Sequence, residues 1–220
     1  MQPTTAILLF SRSATAEAGR KFGRYGSTGT RIAGALIERT RRTLSRTGLP
    51  VYTSDGQRGA GTSFGERLAR SMERVYAAGY QSVIVVGNDC PELSASHLRS
   101  AARWLATGQD VIGPDGRGGI YLLGLRRCAF DRREIAGLRW QTADLVTDLR
   151  ERLRGAREGS LLRDVNTLRD LRLHWVRWKG RLSSLSYLVL RAVVPVAKGC
   201  SLTSRLPVGE FTGRAPPVAA

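Results

Sequence analysis

The stretch VVGNDCPEL, residues 85–93, places an aspartate where chemistry is often done. The apolar run 83–86 reads as a buried strand that stops at Gly87, and Asp89 follows two residues before Pro91. In an open α/β sheet, ligands bind outside the carboxyl ends of the strands. A carboxylate there either caps a loop or holds a divalent metal, Mg or Mn, with nucleotide phosphates completing the shell. Asn88 is positioned to orient that carboxylate, and Cys90 reads as a small buried residue.

A second stretch, GPDGRGGIYLLGL (113–125), sets Gly118 and Gly119 directly before a strand. Paired glycines allow a backbone to approach a ligand closely and permit positive φ. They equally suit a glycine-rich hairpin that binds nothing. Arg117, beside them, carries a planar fork suited to a diphosphate or an acidic sugar. No Ser/His/Asp set, paired acid–base dyad or phosphate-binding P-loop is present.

Taken with RDVNTLRDL (163–171) and the upstream QRGAGTSFGERLARSMERVYAAGYQSVIVVGNDCPEL, these motifs resemble a bacterial family with the GT-A nucleotide-diphospho-sugar transferase fold. Its members carry provisional glycosyltransferase names or are grouped as a domain of unknown function. More distantly the motifs resemble the guanylyltransferases of molybdenum-cofactor and phospholactate-cofactor assembly. The resemblance spans residues 4 to 172 and implies a metal-binding Asp at position 89. It implies an Asp at position 117, where this chain has Arg; Asp115 is the substitute carboxylate. It also implies that Asp164 and Asn166 close the site from the far side, with Asp164 and Asp115 as further candidate metal ligands beside Asp89, against the simpler reading of a helix start capped by Asn166 or Thr167. Members of the fold hold the nucleotide on a basic, glycine-rich loop after the first strand. Here Arg12, Arg20, Lys21 and Arg24 lie in 11–30 and would hold phosphates, or simply form a solvated basic loop. Gln57 and Arg67 are candidates for the nucleotide pocket. Trp140 is a candidate for the core or for stacking on an acceptor, and His97 for a helix cap.

The elements that must position these residues follow from periodicity. Strands are expected at 6–10, 49–54, 82–87, 110–114 and 119–125, and helices at 30–48, 63–79, 94–108 and 141–154. Ser63 stands three residues before Glu66, the capping-box spacing. Alternating strands and helices imply βαβ units and a three-layer αβα sandwich around a mostly parallel sheet. The resemblance narrows this to a Rossmann-like GT-A fold. Residues 1–172 form the expected transferase domain, 173–205 a basic and apolar appendage, and 206–220 a Pro- and Gly-rich tail expected to be disordered.

The whole chain of 220 residues carries a net charge of +17, from 35 Lys and Arg against 18 Asp and Glu. Such a field favours anionic partners. A nucleotide-sugar or nucleoside triphosphate is expected, with an acceptor the sequence does not specify. The arginines are spread along the chain, which equally suits generic solvated faces; no specific nucleic-acid contact is expected, and a catalytically degenerate basic binding module is the alternative to a metal-dependent glycosyltransferase or a nucleotidylyltransferase. Residues 173–199 interleave Trp and Tyr with Arg and Lys, which suits peripheral contact with an anionic membrane, although simple packing on the domain's flank is the plainer reading. Three scattered cysteines without a CxxC pair suggest neither disulfides nor zinc. The N-terminus reads as a strand and no run reaches membrane-spanning length. A cytoplasmic location is therefore expected, with the inner membrane face as an extension.

Overall fold

The computed structural model describes residues 4–23, 26–54 and 62–178. Six strands, β1 (Thr5–Phe10), β2 (Val51–Ser54), β3 (Ser82–Val86), β4 (Val111–Pro114), β5 (Ile120–Arg126) and β6 (Arg157–Glu158), form one sheet in the order β2-β1-β3-β5-β4-β6. β1 pairs in parallel with β2 and β3, and β4 in parallel with β6. β5 is antiparallel to both β3 and β4. Five strands therefore share one direction and β5 alone opposes them. A hairpin loop of five residues, 115–119, is too short for a crossover and forces that reversal.

Side-chain alternation along the strands builds two faces. Ala6, Leu8, Val83 and Val85 face one way, onto α3 (Phe64–Ala77), α5 (Arg132–Gly137) and α6 (Leu145–Arg152). Ile7, Leu9, Ile84 and Val86 face the other, onto α2 (Gly26–Ser45) and α4 (Ala95–Ala106). The expected αβα sandwich with a mostly parallel sheet is thus observed. A third cluster joins α1 (Ala14–Phe22), α2 and α7 (Leu168–Trp178), through Ala18, Phe22, Ile32, Leu36, Val165, Leu171 and Trp178.

Local signals set the helix starts. The Ser63 hydroxyl accepts the Glu66 amide while the Glu66 carboxylate accepts the Ser63 amide at 2.8 Å, which closes the capping box. Ser94 and His97 do the same for α4, with the imidazole as acceptor in place of a carboxylate. His97 is thus a cap, as its position suggested.

One element differs from expectation. Residues 14–22, read as part of a basic, glycine-rich loop, form α1. Ser13 caps it by accepting the Ala16 amide, and its apolar residues Ala18 and Phe22 are buried. The proposed end of the core domain at residue 172 falls inside α7, whose Trp178 is fully buried. Residues 179–220, including most of the basic and apolar appendage and all of the tail, lie outside the described residues. Among the described residues no helix is long and apolar enough to cross a membrane.

Candidate functional site

A cleft of about 450 Å³ opens at the sheet edge where β1 and β3 end and β5 begins. Its location follows from the topology: all chain turns at this edge follow parallel strands, so their loops converge there. One wall is aromatic. Phe10, Phe64 and Trp140 pack in series, with ring centroids 5.3 and 5.5 Å apart. Trp140 is held by donation from Nε1 to the Ile135 carbonyl at 2.7 Å, so it both packs and lines the cleft.

The other wall is charged. Asp89 follows β3 as expected, and two basic groups from α1 meet it. Lys21 is paired to its Oδ1, and the Arg20 guanidinium lies 3.5 Å from its Oδ2. Glu17 completes the group, 3.1 Å from Arg20 and 3.5 Å from Lys21. The Lys21 side chain is only 2% exposed, so this is a buried ammonium and not a solvated surface charge. Arg12 lines the same cleft at the end of β1. Asn88 is buried, but its amide donates to the Ser11 hydroxyl at 2.8 Å and not to Asp89. It ties the ends of β1 and β3 together rather than orienting the carboxylate.

The segment after β6 crosses the sheet edge and brings in Asp164 and Asn166. The Val165 amide donates to the Asp89 carbonyl at 2.7 Å, which fixes Asp164 beside Asp89. The Asp164 carboxyl is pushed up to about 8, first by burial and then by the charges of Asp89 and Asp115. Its Oδ1 is buried with no hydrogen-bond partner among the described residues. Cys90 is buried beneath it, and burial raises its thiol well above the ordinary range.

In the hairpin loop, Asp115 Oδ1 accepts the amides of Arg117 at 2.7 Å and Gly119 at 3.0 Å. It closes its own turn. The paired glycines both pack close to protein atoms, and Gly119 also lines the cleft. Gly118 has φ +86°, and a Cβ there would fall onto the Ala143 carbonyl. A Cβ on Gly119 would meet the Asp115 carboxylate. Arg117 turns to Asp170, at 2.5 Å through one guanidinium nitrogen and 3.5 Å through the other. Burial pushes the Asp170 carboxyl up, but bonds from Arg117, the Asn166 and Thr167 amides and the Thr167 hydroxyl outweigh it and hold the group below its usual range. Arg117 therefore ties the hairpin to the start of α7 and still lines the cleft.

Arg67 reaches the cleft from α3 and donates to the Thr62 carbonyl. Its Nε is buried and unpartnered among the described residues. Only three such side-chain atoms occur among the described residues, and two of them, on Arg67 and Asp164, belong to this one cleft. Buried polar atoms are rarely left unpaired without a reason, and a polar ligand is one. Gln57 and Arg24 lie outside the described residues.

Sequence reasoning missed Glu17, Asp170 and Gln141. Glu17 precedes Arg20 and Lys21 by three and four positions, a helical ion-pair spacing that was legible once 14–22 was taken as a helix. Gln141 lines the rim with φ 65°, the one described non-glycine residue in the left-handed region, and no sequence signal marks it. Such backbone strain tends to collect at ligand sites.

The charged wall does not present a coordination shell for a divalent ion as it stands. Both Asp89 oxygens face basic groups and Asp115 Oδ1 accepts two amides. Among the described residues no group of three or more His, Cys, Asp or Glu is arranged to hold a metal ion.

Residues 35–142 match a family described as "Uncharacterized protein conserved in bacteria (DUF2064)". No curated protein matches the sequence. Among solved structures, the fold is similar to a "putative nucleotide-diphospho-sugar transferase" from Desulfovibrio desulfuricans, at 20% identity and TM-score 0.67, covering 87% of this chain and 98% of that one. A nucleotidyl transferase from Methanothermobacter is matched at 16% identity and TM-score 0.47, covering 82% of this chain and 98% of that one. The chain thus has the fold of the nucleotide-diphospho-sugar transferase structures, a six-stranded sheet flanked by helices.

Proposed function

We propose that the protein is a transferase acting on a nucleotide-diphospho-sugar, with the donor lying in the cleft over the ends of β1 and β3. The observation that carries this reading is the pair of buried atoms, Arg67 Nε and Asp164 Oδ1, left unpartnered among the described residues, on two residues that line one cleft at the carboxyl edge of the parallel strands. The aromatic wall of Phe10, Phe64 and Trp140 suits the base or the acceptor. Arg12 and Arg20, which line the cleft, suit the diphosphate, with the Lys21 ammonium buried beside Arg20 on Asp89. In the transfer, an acceptor hydroxyl oxygen bonds to the anomeric carbon, the bond from that carbon to the diphosphate oxygen breaks, and a nucleoside diphosphate leaves. Asp164 is the group suited to take the hydroxyl proton, because its pKa of about 8 lies near working pH and one of its oxygens is free to accept.

A melting-temperature panel of nucleoside mono-, di- and triphosphates and nucleotide sugars tests this. A ligand that binds only the folded state at 100 times its Kd stabilises by about 2.7 kcal/mol. A nucleotide sugar should raise the melting temperature more than its parent monophosphate. If no nucleotide sugar raises it, the reading fails.

A second reading is a nucleotidylyltransferase, in which a phosphate attacks the α-phosphorus of a nucleoside triphosphate and pyrophosphate leaves. The arrival of Lys21 beside Asp89, on the element directly after β1, favours it. Product analysis separates the two: nucleoside diphosphate release marks the first and pyrophosphate release the second.

A further inference from the structure

The buried ammonium of Lys21 has no role that a solvated lysine could fill. Its side chain is 2% exposed, it is paired to Asp89 and it lies 3.5 Å from Glu17. Burying a charge is costly unless it is paired, so the position is specified and not incidental. The helix that delivers it is fixed at both ends of its packing. Ser13 caps the start of α1, and Ala18 and Phe22 are buried against α2 and α7. Lys21 therefore does not sweep the cleft as a lysine on a free loop would.

Charge balance sharpens the point. Glu17 and Asp89 supply two negative charges, and Arg20 and Lys21 supply two positive charges, within one set of contacts. An added divalent ion would have to displace Lys21 from the Asp89 oxygen it occupies, or sit beside a buried ammonium. Neither fits an ion that demands several oxygen ligands at short range. A phosphate entering the cleft meets Arg20, which lines it with its side chain 39% exposed, while Lys21 stays buried beside Asp89.

We propose that Lys21 takes the place of a divalent metal on Asp89, so that its buried ammonium supplies the positive charge behind the diphosphate, Arg20 contacts the diphosphate, and the donor binds without a metal ion. This rests on the transferase reading for the identity of the ligand, but its metal arm stands apart from that reading.

The test has two arms on the full chain. In the first, Mn²⁺ alone is titrated and its free concentration read by electron paramagnetic resonance. Wild type should bind no Mn²⁺ with Kd below about 1 mM. Lys21→Met, which frees Asp89, should bind one ion, and Lys21→Met combined with Asp89→Asn should lose it. Circular dichroism confirms that each variant is folded; should Lys21→Met fail to fold, Lys21→Gln replaces it. In the second arm, GDP and UDP are titrated by calorimetry in EDTA and in Mn²⁺. Wild-type affinity should be the same in both, and Lys21→Met should bind at least about tenfold more weakly in EDTA, the loss of one positive charge beside the diphosphate. Tight Mn²⁺ binding by wild type that Asp89→Asn abolishes would overturn the proposal. So would the absence of Mn²⁺ binding in every variant, since the position would then be no cation site. Nucleotide binding by wild type that vanishes in EDTA overturns it while leaving the transferase reading standing. Absence of nucleotide binding in all conditions, with the first arm as expected, fails the transferase reading and the phosphate role of Lys21 together.

Discussion

Asp164 is the cleft carboxyl that its surroundings raise most. Burial beside Asp89 and Asp115 raises it from the ordinary carboxylate value to about 8. A group raised on folding holds its proton longer in the native state. Its contribution to stability is therefore complete below the ordinary value of 3.8 and is lost as pH rises through about 8, at up to about 1.4 kcal/mol per pH unit. Chemical denaturation of wild type should accordingly show stability falling between about pH 5 and pH 8, and Asp164→Asn should flatten that slope. Equal slopes in both proteins would mean that Asp164 titrates normally. If Asp164 also takes the acceptor proton, the same variant should lose about 10²- to 10⁴-fold in turnover while keeping donor affinity. The glycines of the hairpin loop carry a different expectation. Gly118→Ala forces a Cβ onto the Ala143 carbonyl at φ +86° and should cost at least about 1–3 kcal/mol in thermal melts. Gly118 makes that approach to protein, so the loss should appear in stability first. At this scale the sequence reveals residue types and offers no partners. Asp89, Asp164 and Lys21 are legible as candidates, but their convergence depends on the Val165–Asp89 backbone bond and on α1, neither of which is written locally.

Among the elements, the helix starts are legible because capping is local. Ser63 and Glu66 form the box that their spacing suggests, and Ser63→Ala should cost about 1 kcal/mol in denaturant unfolding with little change in the cleft. α1 is the opposite case. Its segment holds Gly19 and is followed by glycines at 23, 26 and 29, so a loop is the natural reading. What makes it a helix is tertiary: Phe22 is 1% exposed beneath α2 and α7, and Trp178 of α7 is fully buried in the same cluster. Trp178 lies 157 positions after Lys21 in sequence (178 − 21) and yet its cluster supports the helix that carries that lysine. Trp178→Ala should therefore destabilise by about 3–5 kcal/mol and, unlike the Ser63 change, weaken nucleotide binding in the surviving folded fraction. Calorimetric titration at a temperature where the variant is folded reads this. Unchanged affinity would separate α7 from the site.

For the whole molecule, alternating strand and helix patterns made the αβα sandwich legible, and the five-residue hairpin loop accounts for the one reversed strand, β5. The net charge of +17 pointed to an anionic partner without saying where it binds. The fold gathers Arg12, Arg20, Arg67 and Arg117 around one cleft at the carboxyl edge of the parallel strands, with Lys21 buried beside it on Asp89. The most direct test of the account is amide hydrogen exchange with and without a nucleotide sugar, using UDP-glucose and GDP-mannose in turn at concentrations that raise the melting temperature. The account expects slowed exchange at residues 11–22, 87–90, 141–143 and 164–167, which surround the cleft, and little change along the exposed edge strand β2 or on the outer face of α4. Protection at those outer surfaces with none around Asp89 and Asp164 would contradict it.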